Sequence, residues 1–121
     1  MSNRVGLIIF TMACLVSCGR SDLDYIKATG KLQEAAFRRD QALIAAARDA
    51  NSYTGLAMIK EMTEATEANT KERDQRLKSG QSIRMTPKEC YESELNYYNK
   101  INKIARAYGF ATYAPDFDPD K

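Results

Sequence analysis

Turn-forming residues are scarce in this chain. Its 121 residues include six Gly and three Pro, too little material for the repeated tight turns of an all-β fold. With 44% hydrophobic and 28% charged residues, the chain has room for one modest domain built mostly of helices. The expected class is all-α, a small helical hairpin or three-helix bundle. Eighteen Lys plus Arg against sixteen Asp plus Glu give a formal charge of +2, and no basic block is available to neutralise a run of phosphates. Nucleic acid is therefore not an expected partner. The chain has no His and three Cys, which removes the usual general base, the commonest metal ligand and any Cys/His zinc cluster. No catalytic residue, metal site or cofactor is expected, and the chain is read as non-enzymatic.

The N-terminus reads as an address. Arg4 precedes an uncharged, largely apolar run from Val5 to Ser17, the anatomy of a secretory signal peptide. The run stops by Gly19, ahead of Arg20 and Asp22, short of the roughly 20 apolar residues that a spanning helix needs. Its end, Leu15-Val16-Ser17-Cys18, resembles the lipobox of bacterial lipoproteins, in which a small residue lies beside the cut and the Cys becomes the lipidated first residue. The resemblance implies residues 1–17 as signal peptide and lipid attachment at Cys18, with membrane contact through that lipid. The alternatives are an ordinary signal peptide with Cys18 as a bystander, or an uncleaved anchor; the complete motif favours lipidation. Acyl chains contribute about 0.8 kcal/mol per buried CH₂, so several chains would tether the protein stably. In that family an Asp directly after the Cys directs inner-membrane retention, and Gly19 stands there instead. The implied location is the outer membrane, facing the periplasm. The resemblance ends near Gly19 and carries no activity.

Removing 17 residues leaves 104, enough for one small core. Residues 18–110 are read as the helical domain. Ser21 and Asp24 form a capping-box-like pair before an apolar-periodic run, which predicts a helix over Asp22–Ala50. Its Ala35–Ala50 portion contains seven Ala, small side chains that favour helix and allow close approach. Asn51, Ser52, Thr54 and Gly55 mark a turn or kink. A second helix is expected over Leu56–Ser79, with acidic residues early and basic residues late to suit the macrodipole. Apolar residues nearly vanish in it past Ala65, so its second half should be a solvated rod. The clearest start signal is Thr86-Pro87-Lys88-Glu89, a capping box with Pro in the first turn. It opens a helix expected over Pro87–Tyr108, closed by Gly109 at C′ with Phe110 packing back. The stripe Tyr91, Leu95, Tyr98, Ile101, Ala105 and Tyr108 should face Leu43, Ala47, Leu56, Ile59 and Met62. Residues 111–121, with Pro115 and Pro119, read as an extended or disordered tail.

Four features invite a chemical reading. Cys90 sits near the N-terminus of the third helix and is the one Cys that follows the lipobox in the sequence. It has no His to pair with, so a disulfide to another chain or a buried thiol is the better account. The Tyr-rich third helix could present a binding face. A stripe at helical spacing is more simply a core seam, and Tyr97, at its edge, is the candidate interaction residue. Asp116, Asp118 and Asp120 lack the Gly and Glu of an EF-hand loop. Lys121 is similar to the terminal Lys by which the major outer-membrane lipoprotein family is joined to peptidoglycan, although that family has sustained heptads and few aromatics.

The leading functional expectation is a lipid-anchored periplasmic helical interaction protein with a protein partner. It would serve as an accessory of an envelope assembly: pilotin-like, a conjugation component or an exclusion factor. The alternative is a structural envelope lipoprotein that forms a homo-oligomer or contacts peptidoglycan.

Overall fold

The computed structural model describes residues 21–50, 52–80 and 85–121. The lipobox and Cys18 lie outside the described residues. Three helices, α1 (Asp22–Ala50), α2 (Tyr53–Lys78) and α3 (Pro87–Ala107), are followed by a single 3₁₀ turn over Ala111–Tyr113. The fold is a small all-α bundle, with no strand among the described residues.

Local chemistry sets each boundary. At the start of α1, the Ser21 amide donates to Asp24 Oδ2 at 3.3 Å and the Asp24 amide to Ser21 Oγ at 3.2 Å, the reciprocal pair expected. Helix α2 begins three residues earlier than the periodicity suggested, because Ser52 is its N-cap and accepts from the Gly55 amide at 3.2 Å. Gly55, read in sequence as part of a breaker cluster, lies inside the first turn of α2 instead. Thr86 and Glu89 close the full capping box of α3. Gly109, at φ 88°, sits at C′. The Gly109 amide donates to Arg106 O at 3.1 Å and the Phe110 amide to Ala105 O at 2.9 Å, a Schellman closure that brings Phe110 onto the core as expected.

The contacts give an up-down-up arrangement. Tyr25 meets Tyr91, ring centroids 5.8 Å apart, and Arg39 meets Tyr98 and Asn102, so α1 and α3 run parallel. Gly55 lies on Ala47 and Thr66 meets Tyr97, which sets α2 antiparallel to both. The core joins Leu43 and Ala47 of α1, Met58, Met62 and Ala65 of α2, and Ile101 and Ala105 of α3. Tyr98 is buried beside it, whereas Leu95 and Tyr91 are half-buried.

One expected core member is outside. Leu56 is 65% exposed, because the inward positions of α2 are Gly55, Met58, Met62 and Ala65, alternately three and four apart, and the residue after Gly55 is turned about 100° away. Every residue from Thr66 to Gly80 is exposed, so the second half of α2 is the solvated rod that its sequence implied. The tail is irregular past Tyr113, as its prolines require, but it is not frayed. Ala114 is buried within the core cluster.

Candidate functional site

The tail is held by a polar cluster on the seam between α1 and α3. Arg39, 3% exposed, carries its guanidinium into that seam. Its Nη1 donates to the Tyr98 carbonyl at 2.7 Å and to Asn102 Oδ1 at 3.1 Å. Its Nε and Nη2 donate to Asp40 Oδ1 at 3.2 and 3.0 Å. The guanidinium carbon lies 4.1 Å from the centroid of the Tyr98 ring, a cation–π contact in a desolvated setting. Tyr98 and Asn102 in turn donate, through Oη and Nδ2, to the Pro115 carbonyl at 2.8 and 2.9 Å. Phe117 closes edge-on over the Tyr98 ring at 6.0 Å. On the same side, Arg106 Nη2 donates to the Ala114 carbonyl at 2.9 Å and to Asp116 Oδ1 at 2.7 Å. Pro119 and Asp120 then reach a hollow beside Asp24, Lys27 and Lys31. The tail thus runs back along α1 and α3 as a fourth, non-helical strap.

Between this strap and α1 lies an open hollow of about 730 Å³, lined by Arg38, Arg39, Tyr113, Phe117 and Lys121 among others. Its floor is occupied: the donors of Arg39 are taken by Tyr98, Asn102 and Asp40. Among the described residues no buried side-chain polar atom lacks a partner, and no cluster of His, Cys, Asp and Glu is arranged to hold a metal. The arrangement positions chain segments against one another.

The residues singled out in the sequence fall in separate places. Tyr97 is half-buried against the core edge, and its hydroxyl meets Thr66 Oγ1. Thr66 Oγ1 already donates to the Met62 carbonyl at 3.0 Å, so the Tyr97 hydroxyl is the donor to Thr66, and the contact ties α3 to α2. Cys90 is a free, half-buried thiol. It lines a shallow, mostly apolar hollow with Ile26, Gly30, Gln33, Met85 and Pro87. At the other end of the bundle, the Glu61 carboxylate beside the Tyr108 phenol favours its protonated form and raises its pKa above the usual range, with burial and the charge of Glu64 adding to the effect.

An exposed face of α1 continues from the Cys90 hollow. Leu23 and Ile26 are each 57% exposed and Phe37 is 63% exposed, and Gly30 lies between them with nothing within 4 Å of the Cβ it lacks. This face points away from Ala28, Leu32, Arg39, Leu43 and Ala47, the buried side of the same helix. Leu23 and Ile26 thus belong to a second stripe, apart from the buried one. Arg39 and Asn102 were missed, although the spacing carries a signal. Arg39 lies seven residues after Leu32 and four before Leu43, a charge at a position of the core stripe. Asn102 likewise lies between Tyr98 and Ala105 on the buried face of α3. Among the described residues no helix is long and apolar enough to cross a membrane. Compared with family models, with curated proteins and with solved structures, the chain finds no match.

Proposed function

We propose that this chain is a lipid-anchored interaction protein of the bacterial envelope, attached through Cys18 to the periplasmic face of the outer membrane and presenting the outer face of α1 to a protein partner. The observation that carries the reading is a juxtaposition. The lipobox Leu15-Val16-Ser17-Cys18 ends four residues before α1 begins at Asp22, and α1 opens with solvent-facing Leu23 and Ile26. A tether followed directly by a rigid amphipathic element suits a protein that holds a partner near a membrane. Contiguous exposed apolar side chains are the ordinary mark of an interaction surface. The absence of His from the sequence favours a binding role over catalysis.

The test is made in the envelope of a bacterium expressing the full chain. Wild type should incorporate labelled palmitate and fractionate with the outer membrane, and Cys18→Ala should lose both properties. Persistence of label and membrane retention in Cys18→Ala would remove the anchor assignment. Crosslinking in the same membranes should capture a specific partner, lost on Phe37→Asp; capture unchanged by that substitution would remove α1 as the interaction face.

A further inference from the structure

We propose that the outer face of α1 pairs with the same face of a second copy of this chain, antiparallel, to form a helix–helix dimer. The inference rests on the reading of that face as an interaction surface and names its partner.

The exposed stripe consists of Leu23, Ile26, Gly30, Gln33 and Phe37. Its steps are alternately three and four residues, the spacing by which one helix meets another along a seam. The stripe spans about 21 Å at 1.5 Å per residue, and the described residues leave most of it exposed. Size and charge then select the occupant. Opposite an antiparallel copy, with Ile26 facing Phe37 of the second copy, Gly30 falls opposite Gln33, these layers repeat by symmetry, and Leu23 falls opposite Asp40 at either end of the seam. Each layer sets a large side chain against a smaller one. The open space above Gly30, with nothing within 4 Å, receives the Gln33 side chain. A parallel copy would set Phe37 on Phe37 and Gly30 on Gly30, leaving a gap beside a crowded layer.

The flanking charges agree with the antiparallel register. Lys27 and Glu34 border the stripe on one side, both exposed, and the two-fold axis of an antiparallel pair brings Lys27 of each copy to Glu34 of the other. The present partner of Glu34 is Arg38 on the same helix, 2.6 Å away and well exposed, a pair of the kind that contributes little in water and leaves Glu34 able to exchange partners. The opposite border carries Thr29 and Ala36 and opens to the Cys90 hollow, so no like charges meet there. The face is therefore complementary to itself in size and in sign, as an isologous dimer requires.

Sedimentation of the full chain in a density-matched nonionic detergent tests the pairing, with circular dichroism as the control for folding. Wild type is expected to form a reversible dimer. Phe37→Asp, at a position 63% exposed in the bundle, is expected to be monomeric with helix content retained. Ile26→Lys serves as a second disrupting variant should Phe37→Asp lose structure. Lys27→Glu and Glu34→Lys should each weaken the dimer by about tenfold, as expected for two exposed pairs turned repulsive, and the double exchange Lys27→Glu/Glu34→Lys should restore it. A parallel pair would bring Lys27 near Asp22 of the other copy, and the double exchange would then fail to restore association. Failure of that rescue overturns the proposal. So does a wild type that stays monomeric, or a dimer indifferent to Phe37→Asp. Because sedimentation reads pairing while palmitate labelling reads the anchor, failure of one leaves the other standing. A monomeric wild type that still captures a different protein through Phe37 would retain the interaction face and reject the second copy.

Discussion

Gly55 shows how much one missing side chain decides. A Cβ built there would stand 2.9 Å from the Ala47 carbonyl oxygen and 3.1 Å from Ala47 Cα and Cβ, and these neighbours are mostly backbone, which cannot swing aside. The contact fixes the distance between α1 and α2 at the closed end of their hairpin, and with it the phase that turns Met58 and Met62 inward and Leu56 outward. Replacing Gly55 with Ala gains up to about 1 kcal/mol of helix propensity. Against that, forcing volume into a packed contact costs about 1 to 3 kcal/mol. The packing term wins, so Gly55→Ala is expected to lower the denaturation midpoint, whereas Gly30→Ala, with open space around it, should raise the stability of the isolated bundle. Equilibrium urea unfolding of both variants measures the difference. A stabilised Gly55→Ala would mean that the two helices are free to separate. The opposite logic governs Arg39. There the charge is buried, yet its partner Asp40 keeps 40% of its side chain exposed, so the ion pair is screened. The hydrogen bonds to Tyr98 and Asn102 and the ring beneath the guanidinium carry more of the stabilisation.

At the scale of the helices, burial alternates sharply along short stretches, and that makes it testable. Ile101 is 1% exposed in the middle of the core and Leu56 is 65% exposed one turn into α2. Ile101→Ala should therefore cost about 2 to 5 kcal/mol, and Leu56→Ala should change stability by no more than about 0.5 kcal/mol. Equal losses in thermal or denaturant unfolding would contradict the helix phase of α2. The three helices themselves were legible in the sequence because their ends carry explicit chemistry: Ser21 with Asp24, Thr86 with Glu89, and Gly109 followed by Phe110. The stripe of α3 was legible as well, since Tyr98, Ile101 and Ala105 recur at helical spacing and are buried. Leu56 was misplaced because propensity and hydropathy treat Gly55 as a breaker, whereas the close approach to Ala47 makes it the inward residue. The α1 stripe escaped notice for a related reason. An Ala-rich helix has apolar residues on several sides, and periodicity alone cannot say which stripe the other helices will cover. The polar seam was hidden because its acceptor, the Pro115 carbonyl, is a backbone atom that no side-chain pattern records.

Taken as a whole, the molecule is closed by its C-terminus. Three helices leave the α1–α3 seam with buried polar groups, the Tyr98 hydroxyl and the Asn102 amide, that need acceptors. Both donate to the one Pro115 carbonyl. Proline suits the segment, because its fixed φ holds an extended path and its missing N–H leaves no donor to satisfy under the strap. Asn102 is the hinge of this arrangement, since it accepts from Arg39 through Oδ1 while donating to Pro115 through Nδ2. Asn102→Leu keeps the branching and the number of side-chain heavy atoms but removes both bonds, leaving a guanidinium N–H unpaired in a site only 1% exposed. Its expected cost is about 1 to 3 kcal/mol for each group left unsatisfied. Breaking the exposed Arg106–Asp116 pair by Asp116→Ala should cost less than about 1 kcal/mol, because Asp116 is 87% exposed. The strap gives a second readout independent of global stability. In wild type, the amides of Tyr113 and Ala114, which donate to Phe110 and Ala111 carbonyls, should exchange with solvent more slowly than those of an unstructured peptide. In Asn102→Leu their exchange should rise before the helices open, since the tail can detach locally while the α1–α2–α3 core remains folded. Amides of 113 and 114 that exchange at the unstructured rate in wild type would mean that the tail is frayed and that the Arg39 cluster closes without it.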